Sequence, residues 1–352
     1  MKKVVVALSG GVDSSVAAAL LVEQGFEVLG ATMRLWNAPG CDQENRCCTP
    51  ETRSLAASLA EKLSIPFIVL DEAQTFRNVV VQQFLDGYTR GETPNPCVTC
   101  NRFLKWGALW DYAQSIGADY LATGHYARVL GRPGRVYELW KGRDPGKDQT
   151  YFLSMLTQEH LAHTLFPLGE LRKTEVRQIA RERGLPAADQ PESQDLCFLG
   201  GRDYRDFLAE YVPQAVQPGP ITDRAGKLLG QHNGLAFYTI GQRKGLPAAA
   251  QALYVWKKDI ENNRLIVCPA EELGGETLRV TGMNWISGAA PTKPFQAEVK
   301  IRFRAAPARG MVAPEPEGGA SVRFEKPLRD ITPGQLAVFY QSEQVLGGGW
   351  IV

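Results

Sequence analysis

The first third of the chain alternates between short unbroken apolar runs and longer stretches with apolar residues at helical spacing. The run at residues 4–8 predicts a buried strand, and residues 14–24 carry apolar side chains at helical intervals before Gly25. The same reasoning predicts further strands at residues 27–33, 67–70 and 120–123, and helices at 49–63, 76–85 and 101–116. Strands that alternate with helices favour a parallel sheet covered on both faces.

The pattern changes at a linker rich in proline and glutamine, residues 213–220. Before the linker, residues 126–140 predict a hairpin on the edge of the first domain, and helices are predicted to begin at 147 and to span 172–183. After it, short β-branched runs separated by Gly, Pro and Asn predict two small, β-rich, barrel-like domains. The predicted domains are residues 1–212, 213–286 and 287–352.

The first strand leads into a turn that is suited to binding phosphate. Gly10 and Gly11 lack a Cβ atom, so the backbone can turn sharply there and present its N–H groups at the start of the next helix. Ligands of parallel sheets bind beyond the carboxyl ends of the strands. We therefore expect this turn, Met33 and the Gly124–His125 pair to converge on one site.

Composition restricts the kinds of partner and compartment. The chain has 352 residues, 44% of them hydrophobic, and a net charge of +1, so a polyanion has to be held by local basic stretches, of which 172–183, 243–244 and 300–304 are candidates. The sequence shows neither a signal peptide nor an apolar run long enough to cross a bilayer, which predicts a cytoplasmic protein without a membrane partner. The chain has seven cysteines, an uneven number, and the cytoplasm is reducing. Both facts favour catalytic or metal-binding thiols over a set of disulfide bonds.

Two cysteine positions are candidates for chemistry. Cys97 and Cys100 form a C-x-x-C pair just before a predicted helix, where a thiolate is stabilised. This pair suits a redox couple, half of a zinc site or part of an iron–sulfur site. Cys197 lies between Leu and Phe and is as compatible with a small buried hydrophobic residue as with a reactive thiol. The remaining cysteines are interpreted as incidental: Cys41, Cys47, Cys48 and Cys268.

Several stretches together resemble the tRNA-specific 2-thiouridylases. Residues 9–14 match the signature of the pyrophosphatase-loop ATPases, which cleave ATP between its α and β phosphates. The rest of the resemblance runs in order along the whole chain, at residues 93–101, 124–128, 147–153, 193–198, 238–246, 299–304 and 347–351. It implies a first domain of the adenine nucleotide alpha hydrolase type, a parallel-sheet α/β fold with a helical insert that contacts tRNA.

The resemblance also implies a reaction and a set of residues. ATP adenylates the 2-oxo group of the wobble uridine, Cys100 is the nucleophile, and Cys197 carries a persulfide and later pairs with Cys100. A sulfur-donor or sulfur-relay protein is an implied partner. The expected ATP-binding residues are Ala7, Leu8, Ser9, Gly10, Gly11, Val12, Asp13, Ser14, Met33 and Gly124, with Mg2+ on Asp13. The expected tRNA-binding residues are Asn95, Pro96, Cys97, His125, Lys147, Asp148, Gln149, Arg302, Phe303 and Gln335.

One position departs from the family pattern, because many members carry Asp where this chain has Cys97. With a depressed pKa, Cys97 would replace that carboxylate as a general acid or base. Alternatively, Cys97, Cys100 and Cys197 would hold an iron–sulfur cluster with one open iron, which carries the sulfide. The persulfide route is the favoured one. Two other functions stay open: a ligase that adenylates a small carboxylate or amide, and an RNA-binding scaffold that holds ATP without turnover.

Overall fold

A computed structural model of the protein describes residues 1–36, 38, 50–131, 134–186, 188, 196–316 and 318–352. In chain order the strands are β1 Lys3–Ala7, β2 Glu27–Arg34, β3 Phe67–Asp71, β4 Tyr120–Ala122, β5 Ala127–Leu130, β6 Glu138–Lys141, β7 Thr164–Leu165, β8 Gly219–Thr222, β9 Leu228–His232, β10 Leu253–Asp259, β11 Arg264–Pro269, β12 Gly275–Trp285, β13 Phe295–Lys300, β14 Ala308–Glu315, β15 Gly319–Leu328, β16 Leu336–Gln341 and β17 Gln344–Ile351.

The helices connect these strands mainly in the first half of the chain. The α-helices are α1 Val12–Glu23, α2 Pro50–Lys62, α3 Ala73–Phe76, α4 Gln82–Thr89, α5 Pro96–Cys100, α6 Trp110–Ser115, α7 Thr150–Leu153, α8 Gln158–Ala162, α9 Lys173–Glu182 and α10 Tyr204–Tyr211. Two π-helical segments, Arg77–Val81 and Asn101–Leu109, continue the helices before them, and short 3-10 turns lie at Cys197–Leu199, Pro213–Val216, Leu235–Phe237 and Ala270–Glu272.

The first sheet is parallel, in the order β3-β2-β1-β4-β7, as the alternation of strands and helices predicts. Its central strand, β1, is an unbroken apolar run because both faces of the sheet are covered. Val5 packs into one core, while Val4 and Val6 pack into another that also contains α1 residues. All three side chains are fully buried. The predicted α/β fold is confirmed.

The second half of the chain forms two β structures, also as predicted. Strands β8 to β11 form a four-stranded sheet in the order β10-β11-β8-β9. Strands β12 to β17 close into a six-stranded barrel, because β12 pairs with both β15 and β17. The division predicted between residues 286 and 287 falls after the first strand of this barrel, since the Pro/Gly-containing stretch 287–294 is the loop between β12 and β13.

The β5–β6 hairpin does not lie where the sequence predicted it. It was expected at the edge of the first domain, but β6 pairs with β17 of the barrel, with Val345 opposite Leu139 and Gln344 opposite Trp140. Alternating side chains define a strand, whereas its partner is decided by which edge is available in the folded chain. Leu139 is fully buried in a core that also contains barrel residues such as Tyr340.

Lys258 on β10 gives the folded protein a measurable dependence on pH. Its ammonium group donates to the carbonyl oxygen of Tyr238 at 3.1 Å, and burial lowers the pKa of Lys258 to about 8, although Glu92 acts to raise it. The unfolded chain therefore binds more protons than the native state above about pH 8, so Lys258 makes the protein more stable as the pH rises through this window.

Replacing Lys258 by methionine should consequently stabilise the protein at pH 7. The advantage of the Lys258→Met variant should shrink by about 3 kcal/mol between pH 8 and pH 10.5, the usual pKa of lysine. Urea unfolding of both proteins across that range measures the difference. A constant difference would show that Lys258 keeps an ordinary pKa in the folded state.

Candidate active site

The turn after β1 is built so that only glycine fits at its tightest point. Gly10 has a φ of +73°, and a Cβ atom there would lie 2.5 Å from the carbonyl oxygen of Thr52 on α2. Gly11 is extended and precedes the first turn of α1. The Ser14 hydroxyl accepts the Ser9 N–H at 3.2 Å and donates to the Gly11 carbonyl at 3.1 Å, so it holds the turn around the helix start. Unpaired amides and the helix dipole make this turn a cradle for an anion.

Asp13 in the first turn of α1 is the centre of a small polar network. The Lys173 ammonium donates to both carboxylate oxygens at 2.7 Å, and the Tyr126 hydroxyl donates to one of them at 2.8 Å. The Lys173 side chain is 9% exposed, and its ammonium lies 5.8 Å from the centre of the Tyr126 ring. A buried cation thus lies directly beside the anion cradle, where charge interactions are weakly screened.

Sequence reasoning missed Lys173 and the hydroxyl of Tyr126. Lys173 belongs to the basic stretch 172–183, which was interpreted as a surface for nucleic acid, but it is the first residue of α9 and points inward to α1. A signal was present in Tyr126, which follows the Gly124–His125 pair at the end of β4. Nothing in the sequence indicates that these two residues meet at Asp13.

Gly124 joins the end of β4 to the glycine turn, as predicted. A Cβ atom on Gly124 would lie 2.7 Å from both the Asp13 carbonyl carbon and the Ser14 nitrogen, so the two backbones are in direct contact. Met33 is the penultimate residue of β2 and is half-buried at the same edge of the sheet. The structure therefore brings together the three strand ends that the sequence assigned to one site.

His125 follows Gly124 and is held as a neutral imidazole. Its Nδ1 lies 2.7 Å from the Thr123 hydroxyl and its Nε2 lies 3.4 Å from the ammonium group of Lys105. Burial, and secondarily the positive charge of Lys105, lower the pKa of His125 well below its ordinary value. Because an ammonium group only donates, Nε2 accepts, and the ring proton lies on Nδ1 facing Thr123. Lys105 is a second cation at this edge that sequence reasoning did not identify.

The C-x-x-C pair lies within a helix rather than before one. Helix α5 begins at Pro96, which suits a first helical position, and so Cys97 is its exposed second residue and Cys100 its half-buried last residue. The helix continues directly into the π-helical segment Asn101–Leu109. Asn101 is buried and donates to the Phe152 carbonyl at 3.1 Å, which fixes the chain directly after Cys100.

Cys197 begins a 3-10 turn, Cys197–Leu199, that ends at Gly200 in the left-handed region. It is half-buried and packs at the border of a hydrophobic core, a position that suits either a small hydrophobic residue or an accessible thiol. Cys197, Cys100 and Met33 all pack against the same aromatic core, which contains Phe76, Phe84, Phe198 and Phe207. The structure thus places both candidate thiols around one cluster that reaches the carboxyl end of β2, at the edge of the sheet where the glycine turn lies.

The other cysteine predictions have different outcomes. Cys268 is buried in the four-stranded sheet, and burial raises the pKa of its thiol, which suits an inert residue. Cys41, Cys47 and Cys48 lie outside the described residues, as does the polar stretch 192–195 that precedes Cys197. Within the described ranges, no three His, Cys, Asp or Glu side chains are grouped so that they could hold a metal ion, and Cys97, Cys100 and Cys197 are among the residues covered.

The same finding bears on Mg2+ at Asp13. The carboxylate of Asp13 is already paired with Lys173, and in the described part of the chain it belongs to no group of three or more His, Cys, Asp or Glu side chains that could hold a metal ion. A hard divalent cation needs several oxygen ligands. Asp13 therefore suits Mg2+ only if most of the other ligands of the ion are water molecules or groups of a bound molecule.

The predicted tRNA-binding segments meet around Tyr151. The Tyr151 hydroxyl donates to the Leu336 carbonyl at 3.0 Å. Burial raises the pKa of Tyr151, whereas a hydrogen bond with Asn95 and the positive charge of Arg302 act to lower it. Phe303 packs against Phe152 with ring centres 4.4 Å apart. Three segments that are distant in the sequence, at 93–96, 147–153 and 302–303, are therefore neighbours beside α5.

Some members of this set have structural contacts of their own. Asp148 is buried and accepts the N–H of Thr150 at 3.1 Å, so the helix predicted to start at 147 begins at Thr150. Gln149 accepts the Tyr126 N–H at 3.0 Å and thereby fixes the residue that donates to Asp13. Arg302 donates to Thr332 and to the Ile240 carbonyl, and Lys147 is half-buried at the surface.

Comparison with known proteins decides the family. A tRNA-specific 2-thiouridylase MnmA from Magnetococcus marinus is 48% identical over 100% of this chain and 99% of its own length. The corresponding proteins of Chloroflexus aggregans and Geobacter metallireducens are each 46% identical, over 100% and 99% of this chain and 98% and 96% of theirs. The chain belongs to the tRNA-specific 2-thiouridylase family. The predicted family and the predicted class of enzyme, a sulfurtransferase, are therefore confirmed.

Family models divide this 2-thiouridylase-family chain in three. Residues 2–201 match a tRNA methyl transferase HUP domain, 205–269 a tRNA methyl transferase PRC-barrel domain, and 275–351 an aminomethyltransferase beta-barrel domain. The models' descriptions name methyl transfer, whereas the relatives that match over the full length are named 2-thiouridylases. In the described residues no helix is long and apolar enough to cross a membrane.

Proposed function

We propose that this enzyme uses ATP to replace the 2-oxo group of the wobble uridine in tRNA by sulfur. Family membership supports the tRNA substrate, and the packing of both thiols beside the end of β2 supports sulfur transfer near the site of activation. The observation that carries the proposal is the common aromatic core, at whose border Cys100 and Cys197 lie together with Met33 from the nucleotide edge of the sheet. Activation by a nucleotide and transfer of sulfur thus take place at neighbouring sites.

In the first step, the glycine turn holds the phosphates of ATP, and the uracil oxygen attacks the α-phosphorus. The O–P bond that forms makes the oxygen a good leaving group, and pyrophosphate departs. Positive charge beside the turn stabilises this departure, and Lys173 supplies it from a buried position 2.7 Å from Asp13. Mg2+ bound to the phosphates of ATP would add positive charge beside that of Lys173. The uracil has to leave its stack to reach this edge.

In the second step, the terminal sulfur of a Cys197 persulfide attacks C2 of the uracil and AMP leaves. The Cys100 thiolate then attacks the Cys197 sulfur and breaks the S–S bond, so that 2-thiouridine is released and a Cys100–Cys197 disulfide remains. Two equivalents of an external thiol reduce this disulfide and are themselves oxidised to a disulfide, and a sulfur-donor or relay protein then transfers sulfane sulfur to Cys197 to restore the persulfide. Half-exposure of Cys197 suits such a delivery.

The cluster route has less structural support than the persulfide route. It requires Cys97, Cys100 and Cys197 to act as one ligand set, and these three thiols form no group that could hold a metal in this structure. The persulfide route requires only that two of them meet, with their Cα atoms within roughly 7 Å when the disulfide forms.

Mass spectrometry of nucleosides tests the proposal. Unmodified tRNA incubated with the enzyme, MgATP and a persulfide donor should yield 2-thiouridine, with pyrophosphate released only when tRNA is present. Release of pyrophosphate with a small carboxylate in place of tRNA would identify a ligase instead. Binding of ATP and tRNA without any turnover would identify a scaffold.

A further inference from the structure

Thr93, in the first domain, has hydrogen-bond partners in the C-terminal barrel and lies beside a residue of the middle domain. Its N–H donates to the carbonyl oxygen of Pro333 at 2.9 Å, and its own carbonyl accepts the side-chain amide of Gln335 at 2.6 Å. Its hydroxyl lies 3.4 Å from that of Thr239, which follows the four-stranded sheet's Leu235–Phe237 turn. The polar backbone groups of a residue in the first domain are thus satisfied by the C-terminal barrel.

The barrel segment that contacts Thr93 is itself tightly fixed. Gly334 has a φ of +86°, and a Cβ atom there would lie 2.8 Å from Cβ of Glu92 and 3.0 Å from the Thr93 nitrogen. Thr332 is fully buried, donates to the Asp330 carbonyl at 2.9 Å and accepts a hydrogen bond from Arg302. The contact is therefore a close-packed junction, in which a small shift of one side has to be followed by the other.

The link from Thr93 to the thiols is short and stiff. Pro94 and Pro96 each have a fixed φ, and a Cβ atom on Gly87 of α4 would lie 3.1 Å from the Pro94 ring, so the loop also rests on that helix. Helix α5 begins at Pro96 and carries Cys97 and Cys100. Few freely rotating backbone bonds therefore lie between Thr93, which contacts the barrel, and the sulfur atoms of Cys97 and Cys100.

We propose that Gln335 is a positioning residue for the thiol helix α5. Its amide holds the Thr93 carbonyl, so the C-terminal barrel fixes the place of Cys97 and Cys100 before any tRNA is bound. The expected effect of Gln335 on sulfur transfer rests on the proposed function, whereas its effect on the position of α5 does not. The resemblance to the family assigns Gln335 to tRNA contact, whereas its hydrogen bond to Thr93 gives it a role within the protein itself.

Alkylation of the thiols in the protein without ligands tests the proposal. Gln335→Ala should raise the rate at which iodoacetamide modifies Cys100 by about fivefold, because a hydrogen bond worth about 1 kcal/mol is lost. Peptide mass spectrometry measures this rate. Gln335→Glu keeps the size of the side chain but cannot donate to the Thr93 carbonyl, and it should give the same increase. Gln341→Ala, which removes an exposed glutamine at the end of β16, is the matched control and should leave the rate unchanged.

Steady-state kinetics separates positioning from tRNA contact. Both Gln335 variants should lower kcat for 2-thiouridine formation about tenfold while the Kd for tRNA stays within about twofold. An alkylation rate equal to that of the unmodified protein, together with a raised Kd for tRNA, would overturn the proposal. If the unmodified enzyme formed no 2-thiouridine at all, the proposed function would fail, and the alkylation rates would still decide the role of Gln335.

Discussion

Replacing Cys197 by serine is expected to abolish formation of 2-thiouridine while tRNA-dependent release of pyrophosphate stays within about twofold of the unmodified rate. The serine hydroxyl cannot carry a sulfane sulfur, so no nucleophile reaches C2 of the adenylated uracil. The glycine turn, Asp13 and Lys173 remain in place, because Cys197 contacts the aromatic core rather than the turn. Nucleoside mass spectrometry and a pyrophosphate assay on the same reaction measure the two outcomes separately.

Two further cysteine variants complete this experiment. Cys100→Ser should form the adenylate but release no thiolated product, since no thiolate is left to break the S–S bond. Cys268→Ser alters a buried thiol away from the candidate site and serves as the control, with unchanged thiolation. Production of 2-thiouridine by Cys197→Ser at the unmodified rate would rule out the persulfide on this residue.

Cys97→Ser distinguishes the two routes for sulfur. With a persulfide on Cys197, loss of Cys97 should slow the reaction without stopping it, because Cys97 acts only as an acid or base. With a three-thiol cluster, the variant should lose bound iron and activity together. Iron content and the rate of thiolation, measured on the same anaerobic preparation, give the answer.

Replacing Asp13 by alanine is expected to lower AMP formation by at least about a hundredfold, with tRNA binding preserved. The Lys173 side chain is 9% exposed, and the substitution removes the carboxylate that holds its ammonium group. The ammonium group is then no longer fixed beside the glycine turn. Loss of the partner of a buried ammonium group also lowers the stability of the fold, which urea unfolding should detect. Asp13→Asn, which keeps the shape, should retain the fold better and still lose most of the activity.

A second carboxylate at the same edge of the sheet provides the control for Asp13. Asp71, the last residue of β3, pairs with Arg34 of β2, but its side chain is 61% exposed. Exposed ion pairs contribute little to stability, so Asp71→Ala should leave both unfolding and AMP formation nearly unchanged. Full adenylation activity in the Asp13→Ala variant would mean that the glycine turn does not bind the reacting phosphates.

The sequence was informative wherever local chemistry dictates the structure. An apolar run that reaches two glycines predicts a buried strand and a sharp turn, because few other residues tolerate the backbone of Gly10. It was less informative where long-range packing decides. Lys173 has the helical setting and charge of a surface residue, and only the packing of α9 against α1 turns it toward Asp13. The partner strand of β6 likewise depends on which edge the finished fold leaves open.

In the candidate site, too, some features follow from local sequence and others only from long-range packing. The three strand ends at Gly10, Met33 and Gly124 were predicted to converge because parallel strands end at one edge. That Cys100 and Cys197 act together was expected only from resemblance, since no local pattern relates the end of helix α5 to the 3-10 turn at Cys197, although both pack against one aromatic core. The contact between Gln335 and Thr93 had no signal in the sequence, because the two residues are separated by 242 positions.

The pairing of β6 with β17 has a consequence for how the protein is made. A ribosome produces the chain from its first residue, at roughly 5–20 residues per second, so β6 emerges long before its partner. The first domain, with Leu139 in a core shared with barrel residues, cannot complete that core until Val345 has been synthesised and released. A nascent chain therefore presents the unpaired edge of β6 from the time that this strand emerges until Gln344 and Val345 follow it.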